Sequence, residues 1–238
     1  QSTTEPKYHP VSFAQQVLNF HFKTLQPTWQ LPAGVELLFP FAEEETQACM
    51  TTFYEKYFND NRDRIFVTGI NPGRFGAGVT GVPFTGPKML REMCGIEHGF
   101  TSRPELSADY IYRWINAMGG PDVFYQDFYI TSVCPLGFTK DGKNYNYYDS
   151  KKLEKAVLPH IIANFETQMA FGCRREFLLV LGEGKNYKFI KALNDEQGWF
   201  GEVIPLAHPR YIMQYKRKSL DSYLQDFVEK SQRALGEG

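Results

Sequence analysis

A chain of 238 residues with 42% apolar and 16% aromatic side chains is long for one α/β domain but short for two, so one domain spanning 1–238 is expected. The net charge of −1 does not advertise a nucleic-acid binder, although residues 1–137 carry 10 Lys and Arg against 14 Asp and Glu and residues 138–238 carry 16 against 13. Cys49, Cys94, Cys134 and Cys173 contain no C-x-x-C pair, which argues against a zinc or iron–sulfur site, and no apolar run approaches the ~20 residues of a membrane span, so a cytoplasmic protein with free thiols is expected.

Val11, Phe13, Val17, Leu18, Phe22 and Leu25 follow helical spacing over 11–25, and a second helix is predicted over 42–58, after Pro40. The β-rich run 64–70 reads as a buried strand that stops at Asn71-Pro72-Gly73. Helical segments follow near 86–94 and 105–118. A second strand is predicted within 123–133, ended by Cys134-Pro135. After a helix over 149–171 come a third strand at 177–182, a helix near 184–194, and a fourth strand at 203–207 that ends at His208-Pro209. A last helix runs from Ser219 to Leu235.

Strands alternating with helices predict a three-layer α/β/α sandwich around a mainly parallel four-stranded sheet. Ligands in such sheets bind beyond the carboxyl ends of the strands. Three exits carry unusual loops: Asn71-Pro72-Gly73, Ser132-Val133-Cys134-Pro135 and His208-Pro209. They are expected to converge.

Two glycine patterns point elsewhere and fail on context. Gly76-Ala77-Gly78-Val79-Thr80-Gly81 matches G-x-G-x-x-G, but it starts several residues after the strand end, and Pro83 and Pro87 interrupt the helix that should follow. A nucleotide-dependent Rossmann enzyme is thereby the weaker alternative; the glycines serve tight turns or close backbone approach. Gly182-Glu183-Gly184-Lys185 lacks the first glycine and the Ser or Thr of a phosphate-binding loop, and a strand-to-helix turn explains it.

The segment Gly69-Ile70-Asn71-Pro72-Gly73-Arg74-Phe75-Gly76, continued by Thr80-Gly81-Val82-Pro83-Phe84, resembles the first catalytic motif of the single-strand-selective monofunctional uracil-DNA glycosylases, which runs G-M-N-P-G-P-F-G and then T-G-V-P-F-G. Cys134-Pro135-Leu136 with Phe138, and His208-Pro209, follow in the family's order, and the resemblance is closer to the bacterial branch than to the animal enzymes. It implies the uracil-DNA glycosylase fold and a monofunctional enzyme that acts on DNA containing a deaminated base, as a monomer, without cofactor or metal.

Hydrolysis of an N-glycosidic bond needs a water under C1′, a site that favours the departing base anion, and extrusion of the nucleotide. The resemblance assigns the water to Asn71, whose amide positions it without adding negative charge beside the phosphates. It assigns the base carbonyl to His208, a form of oxyanion stabilisation. It makes Phe84 the stacking platform and sets Ile70, Pro72, Gly73, Phe75 and Ser132 around the substrate. Read alone, Asn71 caps a turn before proline, His208 is a turn histidine and Phe84 is one core phenylalanine among twenty.

Gly73 stands where classical uracil-DNA glycosylases have a tyrosine that shuts out the thymine methyl, so a larger base has room. Ser132 departs from the animal enzymes, which have Asn there to pair with the uracil edge; a hydroxyl donates or accepts and selects less strictly. Deaminated purines, xanthine or hypoxanthine, join uracil as expected substrates, and the bacterial resemblance points to xanthine.

After His208, the run Pro209-Arg210-Tyr211-Ile212-Met213-Gln214-Tyr215-Lys216-Arg217-Lys218 suits a wedge (Tyr211, Ile212, Met213) with Arg210, Lys216, Arg217 and Lys218 on phosphates; the plain alternative is a loop leading into a helix beside a solvated cluster. Lys140, Lys143, Asn144, Tyr145 and Tyr147 form a second expected backbone-contact loop. His9, His21, His98 and His160 are read as surface or packing residues. A non-catalytic or RNA-directed binder on the same fold is the other alternative.

Overall fold

In the computed structural model, which describes residues 11–237, helix α1 (Phe13–Asn19) starts at a reciprocal capping box between Ser12 and Gln15. It continues as a π-turn over Phe20–Thr24, so the predicted helix over 11–25 exists but widens in its second half. Strand β1 (Val35–Leu38) is followed by α2 (Glu44–Tyr57) and β2 (Arg64–Gly69). Next come α3 (Ala77–Thr80), α4 (Pro87–Glu92), α5 (Leu106–Ala117), α6 (Pro121–Asp127) and β3 (Phe128–Ser132). The chain continues through β4 (Gly137–Lys140), β5 (Lys143–Tyr145), α7 (Lys151–Met169) and β6 (Cys173–Leu181). It closes with α8 (Lys185–Gln197), β7 (Glu202–Leu206), α9 (Pro209–Tyr215) and α10 (Leu220–Leu235). His9 lies outside the described residues.

The main sheet has the order β3-β2-β6-β7 and every pairing in it is parallel. All six residues of β2 and all five of β3 are buried, as a strand covered on both faces requires. This is the expected four-stranded sheet. Its order places the first strand in sequence between the second and the third, so the chain leaves β2 to one side and later returns on the other. The crevice beyond the carboxyl ends of β2 and β6 is therefore the switch point where such sheets hold ligands.

Two elements depart from the sequence reading. The first half of the predicted second strand is helix α6, which opens with Pro121 in its first turn. A separate antiparallel sheet, β1-β4-β5, was not predicted at all. Its hairpin turns on Asp141 and Gly142, both with positive φ (52° and 72°), the conformation that an Asp-Gly pair supplies cheaply.

At the opposite end of β2 from the crevice, Arg64 is fully buried. Its guanidinium donates to both carboxylate oxygens of Asp60 at 2.8 Å and to the Tyr125 carbonyl at 2.7 Å, and it lies 4.7 and 4.5 Å from the Phe13 and Phe58 ring centres. Each donor that burial removes from water is thus met by protein. All four cysteines are free thiols. Among the described residues no helix is long and apolar enough to cross a membrane.

Candidate active site

Pairing between β2 and β3 runs past the strand ends. Gly69 faces Ser132 in register, and the Gly69 and Ile70 carbonyls accept from Val133 and Cys134 N–H, each at 3.0 Å. The loops that follow, Asn71-Pro72-Gly73 and Cys134-Pro135, consequently run side by side. Pro72 is buried, and a Cβ at Gly137 would stand 2.0 Å from the Pro72 carbonyl oxygen, so only glycine lets the second loop close over the first.

Asn71 is half-buried at the exit of β2. Its Oδ1 accepts the backbone N–H of Tyr147 at 2.9 Å, whereas its Nδ2 has only a long contact, 3.4 Å, to the Pro72 carbonyl. The amide therefore has one end anchored and the other nearly unspent. Two residues on, Gly73 faces Asn144, whose Oδ1 accepts the Arg74 N–H at 2.9 Å.

Phe84 adopts φ = 52°, a left-handed conformation unfavourable for a bulky residue. Hydroxyls hold it there. Thr80 Oγ1 donates to the Thr85 carbonyl at 2.9 Å, Thr85 Oγ1 donates to the Pro83 carbonyl at 3.1 Å, and the same Thr85 oxygen meets the Tyr112 hydroxyl at 2.7 Å. The ring so fixed lies against Gly69, and its centre is 6.5 Å from that of the His208 imidazole, at 57°.

His208 is the N-cap of α9, and its Nδ1 accepts the Arg210 N–H at 3.1 Å. A neutral imidazole that accepts at Nδ1 carries its proton on Nε2, which makes Nε2 a donor. Burial, with the Arg210 charge added, lowers the His208 pKa to about 4. The ring lies beside Gly182 at the exit of β6, where a Cβ would stand 3.8 Å from His208 Cδ2, an ordinary contact; it is the positive φ of 110° that favours glycine there. Ser132 is buried opposite Gly69 and makes no side-chain hydrogen bond among the described residues.

Asn71 thus stands at the exit of β2, Ser132 at the last position of β3 and His208 at the exit of β7, while Phe84 reaches the end of β2 from the segment between α3 and α4. Ile70, Pro72 and Gly73 accompany Asn71. Phe75 is 43% exposed, and its ring centre is 4.3 Å from the Arg74 guanidinium and 4.6 Å from that of Arg103. Gly76–Gly81 is the α3 turn, where a Cβ on Gly78 would stand 2.4 Å from the Gly73 carbonyl oxygen; its glycines serve close approach. A cavity of about 720 Å³ between Leu38, Glu45, Thr46 and Val79 borders this turn and includes none of Asn71, Phe84, Ser132 or His208.

Three expectations need correction. The segment after His208 is helix α9 rather than a loop, and Ile212 (0% exposed) and Met213 (4%) are core residues, so neither side chain is a wedge on the surface. The exposed aromatics of that helix are Tyr211 and Tyr215, one turn apart with ring centres separated by 5.9 Å, beside exposed Arg210, Lys216, Arg217 and Lys218. Tyr147, expected on DNA, is fully buried; its backbone serves Asn71 from within. Of the remaining histidines, His21 is buried against the Val17 carbonyl, His98 meets the Pro87 carbonyl, and His160 stacks on Trp29.

A family model described as the uracil DNA glycosylase superfamily matches residues 55–232. The crystal structure of WT Pedobacter heparinus SMUG2 is 44% identical in sequence, with a TM-score of 0.91, over 96% of this chain and 100% of that one.

Proposed function

The chain belongs to the uracil DNA glycosylase superfamily and is a DNA glycosylase that hydrolyses N-glycosyl bonds, and from that premise we propose that it removes xanthine as well as uracil after everting the damaged nucleotide. Asn71 holds the attacking water beneath C1′, Phe84 stacks against the everted base, and His208 donates from Nε2 to the base as the C1′–N bond breaks. The water oxygen bonds to C1′, and the bonding pair leaves with the base as an anion that the neutral imidazole donor stabilises. The proton shed by the attacking water passes to solvent, from which the departed base is protonated.

The observation that carries this reading is the contact set at the β2–β6 crevice: the Phe84 ring touches Gly69 and lies 6.5 Å from His208. No acid is needed at His208, because a group with a pKa of about 4 is neutral at physiological pH and already donates. For the purine substrate the support is chemical. Ser132 offers one adaptable hydroxyl instead of an amide matched to uracil, and Gly73 presents no side chain. DNA is held by Arg210, Tyr211, Lys216, Arg217 and Lys218, with Tyr211 filling the vacated stack.

Oligonucleotides that each carry one uracil, xanthine or hypoxanthine test the proposal through alkali-revealed strand breaks at the abasic site. Cleavage at xanthine and uracil is expected. Cleavage at uracil alone would overturn the purine assignment.

A further inference from the structure

Two buried side chains behind Asn71 have no part in the scheme above. Tyr147 is 0% exposed and Asn186 is 2% exposed. The Tyr147 hydroxyl donates to Asn186 Oδ1 at 2.6 Å. Asn186 Nδ2 donates in turn to the Gly69 carbonyl at 3.2 Å and to the Leu181 carbonyl at 3.1 Å. Those carbonyls belong to the last residues of β2 and β6, the two strands that flank the switch-point crevice.

The chain of contacts ends at the Asn71 amide. Asn186 ties Tyr147 to both strand ends, the ring of Tyr147 is packed 5.1 Å from Tyr148 and 4.9 Å from Phe189, and the backbone N–H of Tyr147 holds Asn71 Oδ1. Both N–H groups of the Asn186 amide and its oxygen are used, so its orientation is not free to invert. With one lone pair of Asn71 Oδ1 taken by an N–H, the second lone pair of that oxygen is left to accept a proton of the water.

We infer that Tyr147 and Asn186 are positioning residues that fix which end of the Asn71 amide faces the sugar, transmitting the geometry of the β2 and β6 ends to the water. This rests on the assignment of the water to Asn71. The displacement at stake is small but consequential, since misplacing a reacting group by about 1 Å costs up to about a hundredfold in rate.

Tyr147→Phe removes one hydroxyl and keeps the ring. With enzyme saturating over DNA, its single-turnover excision rate should fall about tenfold while the Kd for DNA stays within twofold. Asn186→Ala should repeat the fall and serves as a second variant should either lose stability. The deciding measurement is the double variant. If Tyr147 acts through Asn71, adding Tyr147→Phe to Asn71→Ala should slow excision no further. Multiplying rate losses, an unchanged rate for Tyr147→Phe, or a lowered Tm with no change in rate would each overturn the inference alone. An unchanged rate for Asn71→Ala would overturn the assignment of the water itself, and the inference with it.

Discussion

The ring of Phe84 lies directly on Gly69: a Cβ at Gly69 would stand 3.3 Å from both Cε2 and Cζ. The absent side chain at the end of β2 therefore sets the height of the platform. In Gly69→Ala the ring must give by a few tenths of an ångström, and it has little freedom because Thr80, Thr85 and Tyr112 fix the backbone beneath it. Gly69→Ala is expected to weaken engagement of the everted base by about fivefold, and Phe84→Ala by the equivalent of the whole stack, roughly 1–3 kcal/mol. Enzyme concentration at half-maximal single-turnover rate is the measurement. A Gly69→Ala effect that persists in full in the Phe84→Ala background would mean that Gly69 acts through something other than the ring.

Specificity should follow Gly73 and Ser132 separately. A Cβ at Gly73 meets Asn144 Nδ2 at 3.5 Å, an ordinary contact, so the backbone tolerates Gly73→Tyr. The ring should shut out the larger purine and leave uracil, lowering the xanthine-to-uracil rate ratio by at least tenfold. Ser132→Asn should move the ratio in the same direction through pairing instead of bulk, because an amide matches the uracil edge. Competition between the two substrates in one tube reads both. A ratio unmoved by Ser132→Asn would mean that the base edge is read elsewhere.

Two histidines held neutral shape the acid limb, partly offset by Glu105. Burial and the nearby Asp109 raise the Glu105 carboxyl pKa to about 7, so that it binds its proton in the folded state first. Burial lowers the His21 pKa to about 4, and burial with the Arg210 charge does the same for His208. Unfolded histidine takes its proton near 6.5, so the unfolded state binds protons first. The stability these groups confer is complete above pH 6.5 and is lost as pH falls toward 4. The slope is at most about 1.4 kcal/mol per pH unit for each. Urea midpoints between pH 7 and 4.5 should decline, and His21→Leu should shallow the decline. Activity behaves differently. Since the neutral Nε2–H is the donor, single-turnover rates should show no rise as pH drops through 6.5; acid activation there would make imidazolium the working form.

How far such features were legible differs by residue. β2 was readable from its β-rich Ile65-Phe66-Val67-Thr68 centre, as a strand buried on both faces favours, and its Asn71-Pro72-Gly73 exit is a local signal. The expectation that the loops carrying Asn71 and His208 converge came from the parallel sheet alone. The Asp141-Gly142 hairpin carried its own signal, but three- and four-residue strands give periodicity too little length to act on. Asn186 had no signal. Its role comes from the Gly69 carbonyl, 117 positions away, and any polar residue in the first turn of α8 would have looked the same. The burial of Ile212 and Met213 was readable only once Pro209 was taken as the first residue of a helix capped by His208, which turns a mixed run into two faces.

Those two faces of α9 make the last prediction, because they separate binding from folding within seven residues. Ile212 and Met213 face inward, whereas Arg210, Tyr211 and Tyr215 face out and the exposed cations Lys216, Arg217 and Lys218 follow at its end. Ile212→Ala should cost about 2–5 kcal/mol of stability and leave the salt dependence of DNA binding unchanged. Lys216→Ala and Lys218→Ala should leave Tm alone, and each should reduce the slope of log K against log salt by about 1, since each removes one phosphate neutralisation. Arg217 is the intermediate case, because its Nε donates to the Met213 carbonyl at 2.8 Å and so also ties the end of α9. Arg217→Ala should therefore lower both the slope and the Tm. Fluorescence anisotropy across a salt series, paired with thermal melts, separates the three behaviours. Salt slopes unchanged in both lysine variants would remove this helix from the DNA interface, whatever its charge.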